Sequence, residues 1–177
     1  MDLNSRVVAP DPYDLLPQVP SFILTSVDIA DGVRLPDDHV ADGANLSPAL
    51  KWSGFPPETR SFLVNCFDPD APTPAGYWHW TMFNLPAQVT SLPRGLGQPG
   101  HAPLPEGARQ VRNDNGDLGY LGAAPPPGDR PHRYVFAVHA LSVPALDLTA
   151  AATPTTVAFT ALFSTIGRAR LTATYQR

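Results

Sequence analysis

The chain of 177 residues contains little cysteine, little lysine and no long apolar run. Its one cysteine, Cys66, lies in an apolar segment, which excludes an internal disulfide and fits a reducing compartment. Its one lysine is Lys51, and the formal net charge is -4 without any basic run. Nucleic acid and anionic membrane surfaces are therefore excluded as main partners.

Two further absences concern the expected location of the protein in the cell. No stretch is apolar for long enough to span a bilayer, so no integral membrane segment is expected. Residues 1–20 lack the apolar core of a signal peptide. We therefore expect a cytoplasmic protein.

Proline, in contrast, is abundant, with 22 residues spread along the chain. Proline interrupts helices and central strands, so this distribution favours short strands joined by stiff loops. A hydrophobic fraction of 43% and a charged fraction of 16% are typical of a globular protein, and the length suits one domain. We expect residues 1–20 to form an irregular N-terminal arm and residues 21–177 to form a single domain.

Segments rich in β-favouring residues and bounded by turn residues predict five strands. They cover residues 21–29, 50–52, 61–67, 78–85 and 133–141. A helix is predicted over residues 154–170, with Thr153 as its N-cap, because apolar residues from Ala158 to Ala169 then share one face. A closing strand is predicted over residues 171–175. Residues 86–119 form a long connection, and a loop of that length is often functional or partly structured.

The segment from Asp68 to Asn84 predicts one wall of a pocket. It begins DPDAPTP, where each proline fixes its own φ angle and restricts the residue before it. Such a loop has few conformations to lose on binding, which favours recognition of a small ligand. His79 follows on a strand between Trp78 and Trp80, so we expect it to face away from both tryptophans. Taken alone, the loop is equally compatible with a stiff turn whose aspartates bind main-chain amides.

A second proline-rich segment, GAAPPPGDRPHRY, predicts the opposite wall. It places His132 and Tyr134 on one face of the following strand. The two histidines could bind an anion through their ring N–H groups, with a carboxylate such as Asp68 raising their pKa. Main-chain amides near Gly122 to Ala124 could complete the site.

The two walls together predict a pocket for a phosphate group and an attached ammonium. Asp68 or Asp70 would receive the ammonium. Arg133 alternates to the other face of its strand, where we expect it to pair with a carboxylate. This arrangement is that of a binding module without catalytic activity, metal or cofactor.

Other functions remain open at this point. Asp68, His79 and His132 could form a facial metal triad, although no two of them have the spacing of a close ligand pair. Asp68 and His79 could belong to a Ser-His-Asp hydrolase, although no serine lies in a Gly-x-Ser-x-Gly turn. A third alternative is an inhibitor of a kinase or protease that acts through the pocket or through residues 86–119.

These segments resemble those of the phosphatidylethanolamine-binding protein family, also called Raf kinase inhibitor-like proteins, and in particular its bacterial branch. The family has an Asp-Pro-Asp-x-Pro loop, a histidine on the next strand, and a Gly-x-x-Pro-Pro…His-Arg-Tyr segment. The matching residues here are Asp68 to Pro72, His79, Gly122, Pro125, Pro126, His132, Arg133 and Tyr134. Shorter matches are Asn45 to Pro48 with Trp52, Asn113-Asp114 with Gly119-Tyr120, and residues 169–175.

The resemblance implies a mainly β fold, an antiparallel Greek-key β-sandwich with one or two peripheral helices. It also implies an anion pocket that binds phospholipid head groups, and in some members inhibition of kinases or proteases. From the residues and the resemblance together, the ligand-binding residues are expected to be Asp68, Asp70, Pro72, His79, Gly122, Ala124, Pro125, His132 and Tyr134. The expected partners are a small phosphorylated ligand or lipid head group and a kinase or protease target.

Some positions depart from the family pattern. Ala123 stands where the bacterial segment often has proline, and Trp78 stands where eukaryotic members often have a second histidine. Eukaryotic members also end in a helix that covers the pocket, which we do not expect after Tyr175. The tryptophans and the proline-rich arm offer apolar surface for a homodimer.

Overall fold

The computed structural model describes residues 2–177, which form mainly β-strands. The strands are β1 (Ile23–Thr25), β2 (Leu50–Ser53), β3 (Ser61–Asp68), β4 (Tyr77–Pro86), β5 (Ser91–Leu92), β6 (Arg109–Gln110), β7 (His132–Leu141) and β8 (Thr165–Tyr175). One α-helix, α1 (Pro154–Leu162), precedes β8. Short 3-10 turns cover Leu3–Ser5 and Asp37–His39.

The strands form two antiparallel sheets, a small one in the order β1-β2-β5 and a large one in the order β6-β4-β3-β7-β8. In the large sheet, β7 returns by a long connection to lie beside β3, which gives the spatial order of a Greek key. The expected fold, a mainly β antiparallel sandwich with a peripheral helix, is confirmed. The central strand β3 is buried along its whole length, since both of its faces are covered.

The main core lies between the two sheets. Phe62 of β3 is fully buried there. Its ring contacts Trp52 of β2 edge-on at a centroid distance of 5.3 Å, and Phe55 at 4.8 Å. These aromatic contacts hold the small sheet against the inner face of the large one.

The outer face of the large sheet is covered by α1 and by the N-terminal arm. Val157 and Ala161 of α1 pack on Leu63 and Phe83 of the sheet. Tyr13 of the arm packs on alternate residues of β7. Residues 2–20 therefore lie on the domain although they contain little regular structure.

The predicted helix is too long. α1 ends at Leu162, and Ile166 and Ala169 belong to β8, which pairs with β7 in ten registered positions. Apolar spacing alone did not separate the two, but Thr165, Ile166 and Gly167 are weak helix formers. The first strand is also shorter than the predicted 21–29, and the long connection 86–119 contains β5 and β6.

We expect Phe62→Ala to destabilise the protein by about 3–5 kcal/mol, because it leaves a cavity between the sheets. Phe163→Ala is the matched control, since Phe163 is 77% exposed and its loss should change stability by no more than about 0.5 kcal/mol. Urea denaturation of both variants measures the difference. Equal stability losses would contradict a core centred on Phe62.

Candidate functional site

A cavity of about 320 Å³ opens at one end of the large sheet, where β3 ends and β4 and β7 begin. Antiparallel neighbours bring these ends together, so the two proline-rich loops face each other across the cavity. The lining residues are Asp68, Ala71, Pro72, Thr73, Tyr77, His79, Asn115, Leu121, Ala124, Pro125, Pro126, His132 and Tyr134.

The two predicted walls thus meet, and seven of the nine predicted ligand-binding residues line the cavity. Asp70 and Gly122 do not. Six residues line it that were not predicted to bind the ligand, namely Ala71, Thr73, Tyr77, Asn115, Leu121 and Pro126. Ala71, Thr73, Tyr77 and Pro126 lie inside the two segments identified from the sequence. Asn115 and Leu121 come from the long connection and its continuation, where no local pattern pointed to the site.

Asp70 binds Arg133 on the other face of the sheet. The guanidinium donates to both carboxylate oxygens, from Nε at 2.7 Å and from Nη2 at 2.8 Å, and the Arg133 main-chain N–H adds a third bond at 3.0 Å. Burial would raise the pKa of Asp70, but these bonds outweigh it and the pKa is lowered. The predicted pairing of Arg133 with a carboxylate is confirmed. Both carboxylate oxygens of Asp70 accept hydrogen bonds from Arg133 and face away from the cavity.

Gly122 has a supporting position behind the cavity. Its N–H donates to Asn45 Oδ1 at 2.6 Å. A Cβ at this position would lie 2.5 Å from the main-chain carbon of Val40, so only glycine permits this close approach. Gly122 therefore fixes the loop that carries Leu121 and Ala124 into the cavity.

The orientation of His79 depends on a β-bulge in β4. Cys66 pairs with Trp80 and Phe67 pairs with Trp78, so His79 is an extra residue at this point of the ladder. Trp78 faces the outer side, as predicted, while His79 faces the cavity. Trp80 also points inward, into the main core, which makes the prediction that it faces away from His79 wrong. The bulge interrupts the strict alternation on which that prediction rested.

His132 is held between two carboxylates. Its Nδ1 lies 2.7 Å from Asp68 Oδ2 and its Nε2 lies 3.0 Å from Asp129 Oδ2, and all three side chains are buried. Arg6 of the arm reaches the same Asp129 oxygen at 2.5 Å. Both ring N–H groups of His132 are thus used within the protein, which leaves neither of them for an anion.

Burial alone would lower the pKa of His132, but the bonds to Asp68 and Asp129 outweigh it and raise the pKa. The pKa of Asp129 is lowered in turn, against its burial, by bonds from His132, the Arg130 amide and Arg6. Sequence reasoning missed Asp129 and Arg6. The spacing of Asp129 and His132 was a usable signal, but nothing local pointed to Arg6.

Asp68 combines two roles that the sequence left open. Its Oδ1 accepts the main-chain N–H groups of Asp70 at 2.7 Å and Ala71 at 3.0 Å, which fixes the turn. Its Oδ2 accepts from His132 at the cavity wall. Asp68 is therefore a turn residue and a cavity residue at once.

Two polar groups in the cavity remain open to a ligand. The Tyr134 hydroxyl is buried and has no hydrogen-bond partner among residues 2–177. His79 donates from Nδ1 to the Leu121 carbonyl at 2.9 Å, which leaves Nε2 as an acceptor in the neutral ring. The two rings meet edge-on at a centroid distance of 5.0 Å.

The protonation states of these two groups follow from their surroundings. Burial lowers the pKa of His79, and the charge of Asp68 and the Leu121 carbonyl offset only part of that effect. Burial, followed by the charge of Asp68, raises the pKa of Tyr134. At neutral pH the cavity thus presents a hydroxyl donor and a ring nitrogen acceptor.

Two structural features that other functions would require are absent from the described residues. Within residues 2–177, no group of three or more His, Cys, Asp or Glu side chains is arranged to hold a metal ion. No helix in that range is long and apolar enough to cross a membrane.

Comparisons with known proteins agree with one another. The family model described as phosphatidylethanolamine-binding protein matches residues 25–176. UPF0098 protein YbhB of Escherichia coli is 45% identical over 157 residues, which cover 86% of this chain and 98% of the relative. The crystal structure of E. coli YbcL, described as a member of the mammalian PEBP family, is 42% identical with a TM-score of 0.86, over 89% of this chain and 99% of that one. A homologue of the family from Chlamydia trachomatis is 30% identical with a TM-score of 0.76, over 89% and 98%.

We expect His132→Gln to destabilise the fold by about 3 kcal/mol near pH 6, because it leaves the buried carboxylate of Asp68 without its cation and that of Asp129 with Arg6 alone. A pKa raised above its ordinary 6.5 contributes stability that is complete below 6.5 and is lost as the pH rises through the folded value. The difference from wild type should therefore shrink at about pH 9.

Chemical denaturation at both pH values measures this difference. His101→Gln is the matched control, because His101 is exposed. This substitution should change the free energy of unfolding by no more than about 0.5 kcal/mol at either pH. A destabilisation by His132→Gln that is the same at both pH values would show that the imidazolium contributes nothing.

Proposed function

The chain belongs to the phosphatidylethanolamine-binding protein family, and we propose that it binds a small phosphorylated ligand of the phosphoethanolamine type without catalysing its conversion. The observation that carries this proposal is the buried, unpartnered hydroxyl of Tyr134 in the cavity. A buried donor without an acceptor is costly, and a ligand oxygen would remove that cost.

His79 gives the site a second contact with the same oxygen-rich group. Its Nε2 is an acceptor in the neutral ring, so it bonds either to a phosphate that carries a proton or, after taking up a proton, to a phosphate oxygen. Both routes place one shared proton between His79 and the phosphate. Binding is therefore linked to proton uptake.

The charges around the cavity favour a ligand that is itself close to neutral. Arg6, protonated His132, Asp68 and Asp129 form a connected set whose charges cancel. A bare anion would gain no net attraction from this set. A phosphate with an attached ammonium suits it better, with the ammonium beside Asp68, whose carboxylate oxygens have lone pairs to spare.

The open cavity has a size and composition typical of head-group recognition. Its volume of about 320 Å³ is at the lower end of the usual range for small-molecule sites, roughly 300–1,000 Å³. The prolines of both loops make it largely preformed, which lowers the entropic cost of binding. Inhibition of a kinase or protease and a cytoplasmic location stay predictions from the sequence.

We expect Tyr134→Phe to weaken phosphoethanolamine binding by about tenfold, since it removes one hydrogen bond to a charged group. Isothermal titration calorimetry measures the affinity. Tyr175→Phe is the control, because it removes a phenol hydroxyl outside the cavity and should bind as wild type does. Unchanged affinity in Tyr134→Phe would overturn the proposal.

We expect the affinity for phosphoethanolamine to rise as the pH falls below about 6.5, because protonated His79 donates to the phosphate. Phosphate itself titrates near pH 6. Titrations of His79→Gln over the same pH range isolate that contribution. The part of the pH dependence that belongs to His79 must vanish in this variant, and equal profiles would contradict its role.

A further inference from the structure

A second cavity, of about 260 Å³, lies on the outer face of the large sheet, beneath α1 and the N-terminal arm. The candidate site described above lies on the inner face. The walls of the second cavity are mainly apolar and come from the arm, the sheet and the helix. They include Leu16, Phe67, Trp78, Ala158, Phe159 and Leu162.

The polar group that distinguishes this cavity is Arg168 of β8. Its side chain lines the cavity, and the residue is 8% exposed. Among residues 2–177 it has no carboxylate within ion-pair distance, whereas Arg170, two residues further on, pairs with Asp11 at 2.9 Å and Asp14 at 3.3 Å. A largely buried cation without a counter-charge is costly, and an anion bound in the cavity would remove that cost.

The groups around Arg168 do not supply that anion. Its Nε lies 3.4 Å from His139 Nδ1, and its guanidinium carbon lies 5.1 Å from the centre of the Tyr13 ring. Tyr13 donates its hydroxyl to Asn65 Oδ1 at 2.7 Å, which turns the Asn65 amide towards His139 Nε2 at 3.4 Å. Both ring nitrogens of His139 thus face donors, although a neutral imidazole accepts at only one nitrogen. The cluster has more donors than acceptors.

We propose that this cavity binds a small apolar monocarboxylate, whose carboxylate pairs with Arg168 and whose hydrocarbon part lies against α1 and the aromatic residues of the sheet. Arginine binds carboxylates with two parallel hydrogen bonds, and such pairs are strongest where water is excluded. The single unpaired cation matches a single negative charge. This carboxylate site is independent of the function proposed for the inner cavity.

The size of the ligand follows from the volume. An apolar cavity of about 150 Å³ accommodates a benzene ring. A volume of about 260 Å³ therefore leaves room for a ring or a short alkyl chain together with a carboxylate. Phe159, 63% exposed, lies at the rim, which provides an apolar entrance.

The protonation state of His139 supports the proposal that a carboxylate binds to Arg168. Burial and the charge of Arg168 lower its pKa to about 3, so the ring is neutral. A carboxylate bound to Arg168 would cancel that charge. The imidazole signals of His139 in NMR spectra should then titrate at a higher pH with ligand than without it, while Tyr13 and Asn65 stay uncharged neighbours.

Octanoate and the neutral octanamide are the probes, compared by isothermal titration calorimetry on the full chain. We expect octanoate to bind at least tenfold more tightly than octanamide. Arg168→Gln should weaken octanoate binding at least tenfold, and Arg109→Gln, which removes an exposed arginine from the same sheet, should leave it unchanged. Tyr134→Phe in the inner cavity should also leave it unchanged.

Ala158→Phe keeps the test decisive if Arg168→Gln does not fold, because it fills the cavity and leaves the guanidinium in place. Circular dichroism checks the fold of each variant. Absence of octanoate binding at millimolar concentration, equal binding of octanamide, or binding that persists in Ala158→Phe would overturn the proposal. A dimer that dissociates on Phe159→Ser, in a protein that binds no octanoate, would assign the apolar rim to a subunit interface instead.

Discussion

A buried chain of ion pairs that runs from Arg6 through Asp129 and His132 to Asp68 joins parts of the sequence that are far apart. It connects the N-terminal arm, the loop after β3 and the loop before β7. On the other side of the same sheet end, Arg133 binds Asp70 and the carbonyl of Ala9. The two pairings hold both proline-rich loops in place before any ligand arrives. A preformed cavity is the direct consequence.

The residues most conspicuous in the sequence are therefore largely scaffold. Asp68, Asp70, His132 and Arg133 spend their polar atoms on one another and on main-chain amides. Besides the remaining lone pairs of Asp68, the groups left for a ligand are the hydroxyl of Tyr134 and one nitrogen of His79. In a buried polar network a removed member exposes several others, so substitutions in the scaffold are expected to act first on stability. Loss of binding in such a variant is then no measure of contact with the ligand.

Much of this arrangement could be predicted from the sequence, because its signals are local. Prolines and β-branched residues mark the loops and strands, and the pairing of the two walls follows from antiparallel neighbours. The missing parts are non-local. Trp80 faces inward because β4 has one more residue than β3 at the bulge. The sequence of β4 alone does not predict that bulge. The helix stops at Leu162 because β7 offers ten registered pairings to the residues that follow. Arg6 reaches Asp129, which is distant in sequence, and no pattern near Arg6 predicts that contact.

Because side chains alternate along a strand, the two faces of the large sheet have separate polar sites. The charges at each site determine which kind of ligand it favours. On β7, His132 and Tyr134 point to the inner cavity, whereas His139, an odd number of positions away, points to the outer one. The inner network contains two cations and two carboxylates, so a bound anion must bring its own cation or share a proton. The outer cluster contains one cation that lacks a partner. A bare anion thus gains a full ion pair only on the outer face. Under the two proposals, a zwitterionic head group and a simple carboxylate bind on opposite sides of the same sheet and do not compete for one cation.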